Sequence, residues 1–288
     1  MHNTDNMNPQ RAFQFLVYCF AIIGFALTAG YLAVKTGLTN ENGIIDNQNE
    51  NFIGLTNSIN ATNIQTRSLT IIKPTWANSE EWAVLSKAIT KDSETMSKAA
   101  KDANIKSRLL IAILVPEQLR LFHSEREIFK KIFAPLQILG NQNQFSWGIM
   151  GIKQETAREI EDNLKNPSST YFLGKSYENI LNFSTSTDNI SQERFERLTN
   201  EKDHYYNYLY ASLFVRQIME SWLKSGYDIQ NRPEILATLF NVGFKNSRPK
   251  ENPQSGGSLI NINDKQYSFG QLAGEFYYSN ELIEEFPR

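Results

Sequence analysis

The apolar positions of this chain fall into one long uncharged stretch and a series of shorter segments with helical spacing. The long stretch covers residues 12–34 and contains no charged side chain. At 1.5 Å of rise per residue, a helix of this length spans roughly 34 Å, which is enough to cross a bilayer. We expect an uncleaved signal anchor. A cleaved signal peptide is the alternative, because residues 26–33 include several small side chains.

The charges that flank this stretch indicate its orientation. Arg11 precedes it, whereas Lys35 follows it together with several acidic residues. Positive charge is retained on the cytoplasmic side, so we expect residues 1–11 to form a short cytoplasmic tail. We expect the remainder of the chain on the extracytoplasmic side, so that the chain spans its membrane once.

Residues 35–78 are rich in Asn, Thr and Ser and show no sustained helical period. This composition predicts a flexible linker between the anchor and the folded domain. The alternative for residues 51–73 is one or two strands that pack on the domain, because Ser68–Ile72 has high β propensity.

From residue 79 to residue 288 the pattern predicts one mainly α domain with a small β-hairpin. Ser79 followed by two glutamates is typical of a helix start. Lys106–Val115 is apolar on nearly every face, which predicts a central helix surrounded by others. Further helices are expected at 124–133, 154–164, 193–224, from 232 onwards and at 269–283, and a hairpin is expected at 260–269.

The charge and the cysteine content exclude several classes of function. The 288 residues carry a formal charge of −2, so there is no overall basic field that would attract nucleic acid. The single cysteine, Cys19, lies in the apolar stretch, and His2, His123 and His204 are not spaced as metal ligands. We therefore expect no metal, no cofactor and no nucleic-acid partner.

Glu117 is the main candidate for acid catalysis because it directly follows eight apolar residues. Cleavage of a glycosidic bond needs a carboxylic acid that can protonate a poor leaving group, and apolar surroundings favour the protonated form of a carboxyl group. Pro116 favours the ionised form of Glu117 instead, because it can restart a helix and a helix N-terminus stabilises a negative charge. A structural ion pair with Arg120 or Arg126 is an equally weighted alternative.

Two further segments follow Glu117. The first is Ser146–Met150 (SWGIM) with Thr156–Ala157 shortly after it, and the second is Thr238–Gly243 (TLFNVG). In this order the segments resemble the lysozyme-like lytic transglycosylases of the SLT type. That family has a catalytic Glu ending a buried helix, then Ser-x-Gly-x-x-Gly-Leu-Met-Gln with Thr-Ala, then Ala-Tyr-Asn-Ala-Gly. The resemblance covers about residues 106–279.

The chain departs from this family pattern at several positions. Gln118 stands where the family usually has Ser, Gly151 where it has Gln, Gln154 where it has Pro, and Phe240 where it has Tyr. The interval between Glu117 and the second segment is also longer than usual. The resemblance therefore implies a divergent member.

The resemblance implies a membrane-anchored enzyme that cleaves peptidoglycan glycan strands between N-acetylmuramic acid and N-acetylglucosamine. Glu117 would donate the proton and then, as a carboxylate, activate the muramoyl C6 hydroxyl, which leaves a 1,6-anhydro end. One acid suffices for this reaction, and no second carboxylate stands out in the sequence. If the reaction is hydrolysis instead, Asp264 or Glu127 is the candidate second carboxylate.

The resemblance also implies substrate-binding residues in the two later segments and at two late tyrosines: Ser146, Gly148, Met150, Asn241, Tyr277 and Tyr278. Structural roles are open for three of them. Gly148 can serve a tight turn, Met150 can fill the core, and Asn241 can cap a helix. Protein partners stay undefined.

Two other classes of function compete with the enzyme. The departures from the family pattern favour a noncatalytic peptidoglycan-binding or scaffold protein with the same fold. Retention of Glu117, Ser146 and Asn241 together favours the enzyme. A membrane-anchored assembly factor with an unrelated helical fold is the third reading, because each segment alone is a weak signal.

Overall fold

The computed structural model describes residues 73–123, 146–184, 186–263 and 265–288, together with isolated helical positions between 14 and 29. The predicted linker up to residue 72, with its alternative strands, and the predicted helix at 124–133 lie outside the described residues. So does most of the predicted membrane span 12–34, which stays a prediction. Within the described part, no helix is long and apolar enough to cross a bilayer.

The described part is mainly helical, as predicted, and carries two small antiparallel sheets. The helices are Glu80–Lys91 (α1), Ser93–Asp102 (α2), Ser107–His123 (α3), Gln154–Lys165 (α4), Ile190–Thr199 (α5), Tyr205–Lys224 (α6), Pro233–Val242 (α7) and Phe269–Tyr278 (α8). The strands are Ser146–Trp147 (β1), Ile152–Lys153 (β2), Leu259–Ile262 (β3) and Lys265–Ser268 (β4). Short 3-10 helices cover Thr75–Asn78, Lys175–Tyr177 and Phe244–Asn246.

Helix α3 is the centre of the fold, as its apolar sequence predicted. Helices α1, α2, α6, α7 and α8 and strand β3 all pack against it, and residues 108–117 are buried on every side. The helix does not end or restart at Pro116, but continues to His123. Glu117 therefore lies within the helix and not at its end, because packing on all sides outweighs the hydrogen bond that Pro116 cannot make.

Arg108 is the charged residue at the start of this buried helix. Its side chain is fully enclosed. The guanidinium donates hydrogen bonds of 2.7–3.1 Å to five carbonyl oxygens, those of Phe276, Tyr277, Ser279, Glu281 and Phe286. These carbonyls lie at the C-terminus of α8, where the helix dipole is negative, and in the chain segment after it. Burial and the nearby charge of Arg288 lower the pKa of Arg108 to about 10.

The C-terminal part of the chain forms a hairpin followed by a helix, as predicted, with one difference in length. Strands β3 and β4 pair antiparallel, with Ile260 opposite Tyr267. Helix α8 ends at Tyr278 and not near residue 283. The reason is that Arg108 takes up the carbonyl oxygens at its end, and the chain turns there to bring Phe286 into the core.

The predicted single helix over residues 193–224 is instead two helices, α5 and α6. The Asn200 side chain accepts hydrogen bonds from the backbone N–H groups of Lys202 and Asp203, at 2.9 and 3.2 Å. The Asp203 side chain then accepts from the N–H of Tyr205, at 3.0 Å, where α6 begins. Short polar side chains compete with helical backbone bonds in this way, so they separate the two helices.

The folded body begins before the predicted boundary at residue 79. Trp76 is buried against Trp82, with ring centroids 5.0 Å apart, and its indole N–H donates to Glu275 at 2.9 Å. Ser79 caps α1 as expected, because its hydroxyl accepts from the N–H of Trp82 at 3.1 Å. The segment Thr75–Asn78 is thus part of the domain.

A polar cluster joins the start of α6 to the junction of α1 and α2. Asp92 accepts hydrogen bonds from His204, at 2.8 Å, and from the Tyr208 hydroxyl, at 2.7 Å. Partial burial alone would raise the pKa of Asp92. The hydrogen bonds from Tyr208 and His204 and the charge of His204 outweigh burial, so the pKa of Asp92 lies below its ordinary value of 3.8.

Arg108→Met should destabilise the protein by at least about 3 kcal/mol, because five buried hydrogen bonds to carbonyl oxygens are lost at once. Urea denaturation of the full-length chain measures this change. The matched control is Arg216→Met, which removes a looser ion pair with Glu220 at 3.4 Å and should cost less than about 1 kcal/mol. Equal losses in the two variants would contradict the structural role of Arg108.

Asp92 should make stability sensitive to acid. Its pKa is lower in the folded than in the unfolded state, so its contribution is present above the unfolded pKa and is lost as the pH falls through the folded one. The difference in free energy of unfolding between wild type and Asp92→Asn should therefore shrink below about pH 4. Tyr208→Phe removes one of the hydrogen bonds, so its acid unfolding should start at a higher pH. An unchanged difference between pH 6 and pH 3 would refute this account.

Candidate functional site around Glu117

The carboxylate of Glu117 is buried in the middle of α3. The residue is only 4% exposed. One carboxylate oxygen accepts a hydrogen bond from Arg120 at 2.6 Å, one helical turn further on. The ion pair that the sequence offered as an alternative is thus formed, and it neutralises a charge that would otherwise be costly to bury. Arg126, the other expected partner, lies outside the described residues.

A tight turn lies directly against this carboxylate. Strands β1 and β2 pair with Trp147 opposite Ile152, and residues 148–151 connect them. Gly151 has a positive φ of 60°, and a side-chain Cβ built on it would lie 2.1 Å from Glu117 Oε1. Only glycine fits here without displacing the carboxylate. The glycine at this position therefore has a local steric reason.

Two side-chain amides from different helices form hydrogen bonds with the turn. From α3, the Gln118 side chain donates to the carbonyl oxygen of Ile149. From α6, Asn207 accepts a hydrogen bond from the N–H of Met150 at 2.7 Å. The sequence contains no spacing signal for Asn207, because it lies in a helix that is apolar around it and far from the turn along the chain.

The predicted residues of the second segment occupy structural positions. Gly148 has a positive φ of 64° and forms the tight turn, accepting from the N–H of Gly151 at 3.3 Å. The Met150 side chain is fully buried, so it fills the core and does not line an open cleft wall. Ser146 lies in β1, in register with Lys153.

In the third segment, Asn241 organises a neighbouring loop. Its side-chain oxygen accepts from the backbone N–H of Ser258 at 2.8 Å and from the Ser258 hydroxyl at 3.1 Å. It lies in the last turn of α7, one residue before the helix ends, and Gly243 follows with a positive φ of 84°. The side-chain oxygen of Asn241, a predicted substrate-binding residue, is thus engaged within the protein.

An exposed ion pair lies close to the second and third segments. Lys245, two residues after the third segment, donates to Glu155 at 2.9 Å. Glu159 lies one helical turn further along α4. Its pKa is raised, mainly by burial and also by the charge of Glu155. Gly151 thus joins the second segment to Glu117, and Lys245 joins the chain just after the third segment to the helix that follows the second.

The two late tyrosines lie near the other end of α3. The carbonyl of Tyr277 accepts from Arg108, which precedes Glu117 by nine residues, or roughly 13 Å along the helix axis. Tyr278 is exposed, and its hydroxyl donates to the carbonyl oxygen of Asn231 at 3.3 Å. Their described polar contacts are therefore with residues outside the Glu117 site.

The alternative second carboxylates, Asp264 and Glu127, both lie outside the described residues. Within the described part, no group of three or more His, Cys, Asp or Glu side chains is arranged to hold a metal ion.

The periodicity of α4 suggests that Glu161 faces solvent, but the structure buries it. It forms a two-point ion pair with Arg194, at 2.7 and 2.6 Å.

Comparison of the chain with protein-family models, with curated proteins and with solved structures gives no significant match in any of the three.

Gly151→Ala should push the Glu117 carboxylate away from Arg120, because the new methyl group would lie 2.1 Å from Oε1. Gly226→Ala is the matched control. Its φ is also positive, at 89°, but nothing lies within 4 Å of the added methyl group, so it should cost only the conformational strain of about 1–2 kcal/mol. Gly151→Ala should cost about 1 kcal/mol more than the control.

Adding Glu117→Ala should remove this extra cost, since the methyl group then has no carboxylate to displace. A double-mutant cycle on the free energy of unfolding, measured in urea, should thus give a coupling of about 1 kcal/mol between the two positions. Strict additivity would show that Gly151 and Glu117 do not meet as described.

Proposed function

We propose that this protein is a membrane-anchored peptidoglycan lytic transglycosylase with a lysozyme-like domain. Its substrate is the glycan strand, cleaved between N-acetylmuramic acid and N-acetylglucosamine, and Glu117 is its single acid and base. Residues 12–34 are the proposed anchor in the bacterial inner membrane, with the domain on the extracytoplasmic side.

The observation that supports this proposal most is the approach of Gly151 to Glu117. Two segments more than thirty residues apart, each chosen for its resemblance to a catalytic motif, are in direct contact. The turn is half-buried at Gly148, Ile149 and Gly151, so a ligand can reach its backbone. A partly exposed turn of glycines next to a candidate acid would allow a sugar to approach the backbone closely, which supports the proposal.

The proposed reaction has two proton transfers on one carboxyl group. Protonated Glu117 first donates its proton to the glycosidic oxygen while the bond from the muramoyl C1 to that oxygen breaks. The Glu117 carboxylate then accepts the proton of the muramoyl C6 hydroxyl while O6 bonds to C1. The products are a 1,6-anhydro-muramoyl end and a free hydroxyl on the departing sugar, and Glu117 is protonated again.

The ion pair between Arg120 and Glu117 affects both proton transfers of the proposed reaction. Its hydrogen bond to Glu117 stabilises the carboxylate, which is the form needed in the second step. Donation in the first step requires that the carboxyl group takes up a proton and that this ion pair loosens. We propose that glycan entering beside the turn separates Arg120 from Glu117 and excludes water from the acid.

A noncatalytic peptidoglycan-binding protein is the second candidate, and the same ion pair favours it. Glu117 is almost fully buried and already paired with Arg120, which is how a structural carboxylate is satisfied. In that case the turn and α7 would bind glycan without cleaving it.

Digestion of purified peptidoglycan sacculi by the full-length protein tests the proposal, with mass spectrometry of the released fragments. Wild type should release fragments with 1,6-anhydro-muramoyl ends. Glu117→Gln should lower the release at least about 100-fold, because the general acid is lost. Glu220→Gln, on the surface of α6, is the matched control and should digest like wild type.

Each other outcome has a definite meaning. Reducing ends instead of anhydro ends would replace transglycosylation by hydrolysis and direct attention to Asp264 and Glu127. Sacculi that bind wild type and Glu117→Gln equally, without release of fragments, would establish the noncatalytic protein. Wild-type release that persists in Glu117→Gln would remove Glu117 from the reaction.

A further inference from the structure

We infer that Asn207 is a positioning residue for the proposed glycan cleavage: it fixes the turn at residues 148–151, and the turn fixes the carboxylate of Glu117. This inference rests on the proposed function. Asn207 is 2% exposed, so it acts through the turn and does not touch glycan itself.

Both ends of the Asn207 amide are used, which fixes its orientation. Its oxygen accepts from the N–H of Met150 at 2.7 Å, and its nitrogen donates to the carbonyl oxygen of Leu198 at 2.8 Å. Met150 is in the turn, whereas Leu198 is near the end of α5. Asn207 thus joins the turn to two helices, α5 and α6.

Gly148 shows how closely the turn fits against this amide. A side-chain Cβ at Gly148 would lie 2.1 Å from the Asn207 amide nitrogen and 2.1 Å from the Leu198 carbonyl oxygen. The backbone oxygen cannot move aside without displacing α5. The turn is therefore held against Asn207 by contact as well as by hydrogen bonds.

The position of the turn determines the space that is left for the Glu117 carboxylate. The N–H of Gly151 donates to the carbonyl oxygen of Gly148 at 3.3 Å, so a hydrogen bond links the two glycines across the turn. Gly151 in turn lies against the Glu117 carboxylate. A shift of the turn would change the space that the carboxylate occupies and its distance from Arg120.

Loss of this support should therefore lower kcat more than it raises KM. A misplacement of about 1 Å at a reacting group can lower the rate roughly 100-fold. We expect Asn207→Ala to lower kcat on a soluble oligosaccharide of alternating N-acetylglucosamine and N-acetylmuramic acid by about 10-fold to 100-fold. Its KM should stay within about twofold, because Asn207 makes no contact with glycan.

Asn207→Asp is a second test variant, for which we expect a kcat that depends on pH differently from that of wild type. The carboxyl group retains the acceptor for the N–H of Met150, but only its protonated form can donate to the carbonyl of Leu198. The ratio of its kcat to that of wild type should therefore rise as the pH falls. A residue that only stabilises the fold would not produce this pH-dependent recovery at a temperature where every variant is folded.

Gln217→Leu is the matched control on the same helix. Gln217 is also fully buried, and its amide donates to the carbonyl oxygen of Ile160 at 3.0 Å, away from the turn. Its kcat should stay within about threefold of wild type. Hydrogen exchange followed by mass spectrometry adds a readout independent of activity, in which the Met150 amide should exchange at least about tenfold faster in Asn207→Ala than in Gln217→Leu.

The possible outcomes separate this inference from the function on which it rests. If wild type cleaves and Asn207→Ala keeps a kcat within about threefold of it, the positioning role of Asn207 is overturned while the function stands. The same holds if Gln217→Leu loses kcat equally. If wild type releases nothing from the oligosaccharide or from sacculi, the proposed function is overturned and the inference with it.

Discussion

Burial of two opposite charges in one helix is the constraint on which this structure depends. Helix α3 is enclosed by helices on all sides, yet it carries Arg108 near its start and Glu117 near its middle. A buried charge without a partner costs several kcal/mol, so each must be satisfied where it lies. Five backbone carbonyls satisfy Arg108, and the guanidinium of Arg120 satisfies Glu117.

The two solutions have different consequences. The carbonyls around Arg108 belong to the end of α8 and the segment after it, so this charge fixes the C-terminal part of the chain to the centre of the fold. Glu117 is satisfied by a residue of its own helix, and the same carboxylate oxygen, Oε1, also faces the turn at Gly151. The start of α3 is thus fixed to the C-terminal part of the chain through Arg108. The middle of α3 holds a carboxylate that lies against the turn at Gly151.

Local sequence patterns were sufficient for most individual elements. Ser79 marks the start of α1, and the spacing of apolar residues gives α4, α7 and the β3–β4 hairpin. The uniform apolar character of Lys106–Val115 identifies the central helix, and the approximate position of Glu117 on it follows from that. These features depend on residues within one or two helical turns, so a single sequence contains the information that specifies them.

Features that depend on distant residues came only from the tertiary structure. Glu161 looks like a solvent-facing residue of α4, but Arg194, 33 positions later, buries it in an ion pair. Asn207 supports the turn at Met150, 57 positions earlier, and nothing in the local sequence indicates this. The sequence determined which segments are helical and which residues are candidates for chemistry. Packing decided their neighbours, because the partner of a buried polar group is chosen by proximity in space and not along the chain.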